Sequence, residues 1–138
     1  MAKIEKDETV HAGMYIFLNK GLHMSVGKAA AQAAHAAVEA YKASDKHLIE
    51  QWELGGHYAK YVLEADNAEH LSTISTYISK RGFLVIPIID EGLTEVEPHS
   101  LTAIGIPIVN KLDAHTNATF SSFRLYKDSV RITLEIDK

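Results

Sequence analysis

Residues 25–37 read SVGKAAAQAAHAA, and the organisation of the chain follows from them. A lysine stands at the mouth of a helix made almost entirely of alanine. Ser25 is a fitting N-cap, and the helix should run to about Tyr41. With 3.6 residues per turn, Lys28, Gln32, His35 and Glu39 fall on one stripe. Alanines and Val38 fill the rest of the circumference. So many small apolar residues predict a helix pressed against neighbours on several sides. The polar stripe is then the part whose chemistry needs explaining.

Outward from this helix, strands and helices alternate. MYIFL (14–18) reads as a strand followed by a Gly-containing turn, and residues 1–13 as a loose lead-in. Ser44 and Asp45 can cap a helix over 46–54, where Leu48, Ile49 and Trp52 share a face before Gly55-Gly56. YAKYVLEA (58–65) reads as the second strand. A helix over about 67–81 carries Leu71, Ile74 and Ile78 at helical spacing and stops at Gly82. FLVIPII (83–89) is the third strand. Its unbroken hydrophobicity predicts burial on both faces, while Pro87 points to a bulge or an edge position. LTAIGIPIV (101–109) is the fourth. FRLY (123–126) and the alternating VRITLEI (130–136), joined by a polar turn, read as a terminal β-hairpin. Trp52, Tyr41, Tyr58 and Tyr77 lie among periodic apolar positions and read as packing residues. The class is α/β, and 138 residues most simply form one domain.

Composition excludes several functions. There are no cysteines, so disulfides, thiolate metal sites and cysteine nucleophiles are out, in keeping with a reducing compartment. No apolar run approaches the ~18 residues of a membrane span. The charged first 13 residues lack the apolar centre of a signal peptide, so a cytoplasmic location is expected. The net charge of −4 is the wrong sign for non-specific nucleic-acid binding.

Three features carry candidate chemistry. Gly27-Lys28 opening a helix after a strand has the layout of a phosphate-binding loop. However, five residues separate Gly21 from Gly27 instead of four, and Ala29 replaces the metal-holding hydroxyl, which rules out nucleotide hydrolysis. What survives is a lysine beside helix N–H groups, either a surface residue or an anion site. The eight histidines come no closer in sequence than His47 and His57, so no metal signature exists. His35, inside the alanine helix, reads more readily as a hydrogen-bonded structural histidine than as a catalytic one. Asp90 ends a buried strand, where α/β sheets gather ligands. It either caps its turn or serves as a general base with a hydroxyl such as Thr94. On spacing alone, turn capping is the stronger reading.

Together these pieces resemble the archaeal and eukaryotic-type peptidyl-tRNA hydrolases. The resemblance runs through MYIFL, GKAAAQAAHAAVEAY (27–41), EQWELGG (50–56), Lys60 and DEGLTEVEPHSLTAIG (90–105). In the last segment Asp90, Gly92, Thr94, Pro98, Ser100, Thr102 and Gly105 match the family's signature. Residues 14–112 would form the hydrolase-like core and 113–138 a C-terminal extension. The resemblance implies a mixed four-stranded sheet with helices on both faces, a homodimer, and hydrolysis of the ester joining a peptide to the 3′ end of tRNA, without metal or other cofactor. The family's implicated residues fall on Lys28, Asp90 and Thr94, with Gln32, His35 and Ser100 as supporting or substrate-binding positions. Peptidyl-tRNA is the implied partner.

The chain also departs from the family pattern. The usual Lys-Met-Gly-Lys-Gly-Lys is here His23-Met24-Ser25-Val26-Gly27-Lys28, and an Asp common just upstream is Gly21. Glu91, Glu95 and His99 replace the usual Ala, Gln and Gly. Residues 82–110 hold no Lys or Arg but carry Asp90, Glu91, Glu95 and Glu97, a surface that would repel phosphate. Two alternatives to the peptidyl-tRNA hydrolase therefore stand: a non-catalytic interaction or regulatory module on the same fold, and a hydrolase of a smaller ester.

Overall fold

The computed structural model describes residues 3–91, 96–97 and 99–127. Four strands, β1 (Ala12–Asn19), β2 (Lys60–Ala65), β3 (Ile86–Asp90) and β4 (Ser100–Asn110), form one sheet in the order β2-β1-β4-β3. β1 and β2 are parallel, and β4 runs antiparallel to both β1 and β3. β1, β2 and β3 therefore share a direction and end at the same edge. The helices are α1 (Val26–Lys42), α2 (Lys46–Leu54), α3 (Ala68–Lys80) and α4 (Ala114–Phe120). Ser25, Asp45 and Asn67 each cap a helix by accepting a backbone N–H three residues on.

β1 displays the period of two that divides the core. Met14, Ile16 and Leu18 pack with Ala29, Ala36, Ala40 and Trp52 of α1 and α2. Phe17 on the other face packs with Leu71, Ile74 and Ile78 of α3 and Phe120 of α4. Helices thus cover both faces, as the resemblance implies. α1 rests on β4 at unusually close range: a Cβ added to Gly105 would lie 2.7 Å from the Ala36 carbonyl oxygen.

The alanine helix departs from expectation. Only Ala29, Gln32, Ala36 and Ala40 are buried, while Ala30, Ala31 and Ala34 face solvent. One face packs, and the remaining alanines serve through their high helix propensity. FLVIPII also differs: the strand begins at Ile86 and is the outer strand of the sheet, with Leu84 and Ile89 largely exposed. Its apolar run does not reflect burial on both faces, and Pro87 sits at the edge position it favours. Trp52 is buried, with its indole N–H donating to the Ala59 carbonyl, and the partly exposed tyrosines pack on aromatic neighbours, Tyr41 and Tyr58 on Trp52 and Tyr77 on Phe123.

Residues 5–11 and 110–126 are tied to the rest of the fold. Asp7 N–H donates to Gln51 Oε1 (2.7 Å) and Gln51 Nε2 to the Glu5 carbonyl (2.9 Å). Asn110 bridges His11 and Thr9. The lead-in is therefore clasped against α2 and the end of β4. α4 has no periodic apolar stripe to betray it; it is capped by Asp113 and anchored by Phe120, which stacks on Tyr15. Arg124 to Tyr126 lie alongside the outer edge of β2 through a Leu63–Leu125 bridge. The second half of the expected hairpin, 130–136, falls outside the described residues.

Two predictions follow from these contacts. Gly105→Ala should lower stability by roughly 1–3 kcal/mol in urea unfolding, because α1 has to lift off the sheet. In the clasp, hydrogen bonds from the Thr9 hydroxyl, then from His47 and the Thr9 N–H, hold the Asp7 carboxyl down at about 2, against an ordinary 3.8. A pKa lower in the folded state stabilises above the unfolded value and is lost as pH falls through the folded one. The stability gap between wild type and Asp7→Asn should therefore be flat above about pH 5 and shrink as pH falls from 3.8 to about 2.

Candidate active site

Asp90 is the last residue of β3, at the edge where the three parallel strands end. The N-terminus of α1 opens at the same edge. The turn that brings the chain there is held by Asn19, whose side chain accepts from Gly21 N–H (3.0 Å) and donates to the Leu101 carbonyl (2.9 Å). A Cβ on Gly21 would meet the Asp66 carbonyl at 2.6 Å, which gives the glycine at that position a local steric reason.

Lys28, in the first turn of α1, reaches down so that Nζ donates to Asp90 Oδ2. One turn on, Gln32 Nε2 donates to the same oxygen at 3.3 Å. Behind Gln32, the Thr102 hydroxyl of β4 lies 2.5 Å from Gln32 Oε1 and 3.2 Å from the Ile88 carbonyl. An ionised carboxylate only accepts, so Gln32 must turn its NH₂ to Asp90 and its carbonyl to Thr102, which then must donate. One arrangement of protons satisfies the whole chain of groups. The ion-pair side chains are only 11% (Lys28) and 9% (Asp90) exposed, while Gln32 and Thr102 are buried. An ammonium so desolvated depends on its partner, and the pair sits at the floor of an open cleft lined also by Ala31, His35, Ile89 and Glu91.

The other candidates fare differently. His35 lies on the cleft wall, exposed and without a hydrogen bond among the described residues, so it is not the hydrogen-bonded structural histidine expected. Glu39 pairs with Lys42 on the surface at 3.5 Å. Ser100 pairs with Asp90 across the β3–β4 ladder, but its hydroxyl donates to the Glu97 carbonyl (2.6 Å) and holds the chain entering β4. His99 adopts φ +63°, a left-handed conformation that glycine takes without steric cost. Thr94 lies outside the described residues. Among the described residues, no three His, Cys, Asp or Glu side chains are grouped as ligands for a metal ion.

Thr102 is the residue whose role sequence reasoning missed. Its signal was a single hydroxyl inside the otherwise apolar LTAIGIPIV. The arrangement delivers a positive donor and a carboxylate to one point on an accessible floor, which suits the polarisation and hydrolysis of an acyl bond.

Comparisons with known proteins converge on one family. The model of the family described as peptidyl-tRNA hydrolase PTH2 matches residues 12–125. A Pyrobaculum aerophilum protein named peptidyl-tRNA hydrolase is 38% identical over 120 residues, covering 83% of this chain and 97% of that one. Proteins named peptidyl-tRNA hydrolase 2, mitochondrial, are similar in Mus musculus (36% identity, 67% of this chain, 52% of that one) and Bos taurus (34%, 74% and 61%). The chain thus spans between half and two thirds of these mammalian relatives.

Thr102→Val keeps the shape of the side chain but leaves Gln32 Oε1 buried without a donor. It should cost about 1–3 kcal/mol in urea unfolding, and Thr102→Ser, which keeps the hydroxyl, should cost less.

Proposed function

The chain belongs to the peptidyl-tRNA hydrolase PTH2 family, and from that membership we propose that it hydrolyses the ester joining a peptide to the 3′ end of tRNA. The observation that carries this reading is the seating of the Lys28 ammonium on the Asp90 carboxylate at the floor of the cleft. In the proposed reaction Asp90 takes a proton from water as its oxygen attacks the ester carbonyl carbon. The charge that develops on the carbonyl oxygen faces Lys28, whose ammonium has three donors and spends one on Asp90. Collapse breaks the bond to the ribose oxygen, which recovers the proton from Asp90, and a free peptide acid departs. Gln32, locked by Thr102, keeps the carboxylate aimed. Thr94 belongs to the proposal as the hydroxyl that orients the water, on sequence grounds.

Among the described residues no helix is long and apolar enough to cross a membrane. A cytoplasmic site of action and a homodimer belong to the same proposal, to be tested by cell fractionation and by sedimentation.

The test is release of tRNA from a model peptidyl-tRNA. Lys28→Ala should lose about 10²–10³-fold in kcat. Because it removes the ammonium from a desolvated carboxylate, circular dichroism at the assay temperature must confirm a folded variant. A folded Lys28→Ala protein with wild-type turnover would falsify this role. Raising salt from about 50 to 200 mM should sharply reduce kcat/KM if phosphates are gripped. A folded wild type without turnover would instead favour an interaction module. Salt-insensitive turnover of simple esters would favour a smaller substrate.

A further inference from the structure

The cleft over the ion pair does not stop at the catalytic groups. It continues between α1 and the outer edge of β3, past His35 and Ile89, to Val38, Glu39 and Pro87. The stretch around the pair has a volume of about 460 Å³ and its continuation about 420 Å³, with His35 and Ile89 lining both. Each is in the range of ligand-holding clefts. Resting on the hydrolase reading, we propose that this continuation seats the peptide part of the substrate, with Ile89, His35 and Val38 contacting its side chains.

Charge decides which half of the substrate lies there. Among the described residues the lining beyond Lys28 holds no Lys or Arg, and Glu91 and Glu39, the latter paired with Lys42, flank it. A phosphate backbone is repelled from such a wall. The apolar surface is ample, with Ile89 46% and Val38 58% exposed. A largely uncharged peptide fits both facts, and the nucleotides then leave the ion pair on its other side.

The form of recognition follows from β3. The strand is only five residues long, and Pro87, its second residue, has no N–H to offer. The edge is therefore a poor template for an added strand. Contact is through side chains, which tolerates many peptide sequences while favouring apolar ones.

Length gives the test. From Lys28 to Val38 α1 rises about 15 Å, the span of roughly four to five extended residues. Two substrates on the same tRNA therefore separate the subsite from the chemistry. An N-acetyl-aminoacyl-tRNA is too short to reach Val38, and an apolar N-acetyl-pentapeptidyl-tRNA reaches it. Val38→Asp, at an exposed helix position, should lower kcat/KM for the long substrate by on the order of tenfold and leave the short one unchanged. Val38→Thr, of the same shape, should give a smaller loss in the same direction, and serves if Val38→Asp is poorly folded. If wild type cleaves both substrates and the Val38 variants affect both equally or neither, the subsite is wrong and the hydrolase reading stands. If folded wild type cleaves neither, both are wrong.

Discussion

The close approach of α1 to β4 sets the depth of everything at the cleft. At the crossing point Gly105 has no side chain and Ala36 only a methyl, so the helix backbone comes within reach of the strand. One turn before that contact, Gln32 is carried low enough to meet both Thr102 on β4 and Asp90 on β3. One turn earlier still, Lys28 covers the same carboxylate. A larger residue at either contact would raise the helix and pull these groups apart together, because they ride on one rigid element.

The polar chain built on that contact is an all-or-nothing structure. A buried network is tolerable only when each member is satisfied, and among the described residues no buried side-chain nitrogen or oxygen lacks a partner. Through its hydroxyl on Gln32 Oε1, Thr102 dictates which end of Gln32 meets Asp90. Lys28, Asp90 and Gln32 line the cleft, while Thr102 is buried behind them. Packing, hydrogen bonding and chemistry therefore constrain the same few residues.

Charge sorts the surface around this site. The chain is acidic, and residues 90–97 carry four carboxylates without a single Lys or Arg between residues 82 and 110. As a liability for RNA binding, that feature is hard to understand. On the proposed function, the Glu91 carboxylate beside the ion pair helps to assign opposite sides of that pair to the two halves of a peptidyl-tRNA.

Local rules carried much of the fold in the linear chain. Ser25 and Asp45 announce their helices through short-range capping, β1 through a short run of strand-forming residues, and Gly82 through the left-handed turn it permits (φ +95°). These depend on neighbours within a few residues, so spacing reveals them. Lys28 and Asp90 stood out for the same reason, one at a helix start and one at a strand end. α4 stayed hidden because it offers a single large apolar anchor, Phe120, in a pocket formed by distant strands and helices, and its other buried residues are threonines. β3 looked buried because an apolar run reads alike in the centre of a sheet and at its edge, and only the pairing order distinguishes them. A helical stripe likewise lists Lys28, Gln32 and His35 as equals. The rotation imposed by the Gly105–Ala36 contact turns the first two inward and leaves the third on the wall. That Asp90 waits beneath Lys28, 62 residues away in sequence, is decided by packing alone.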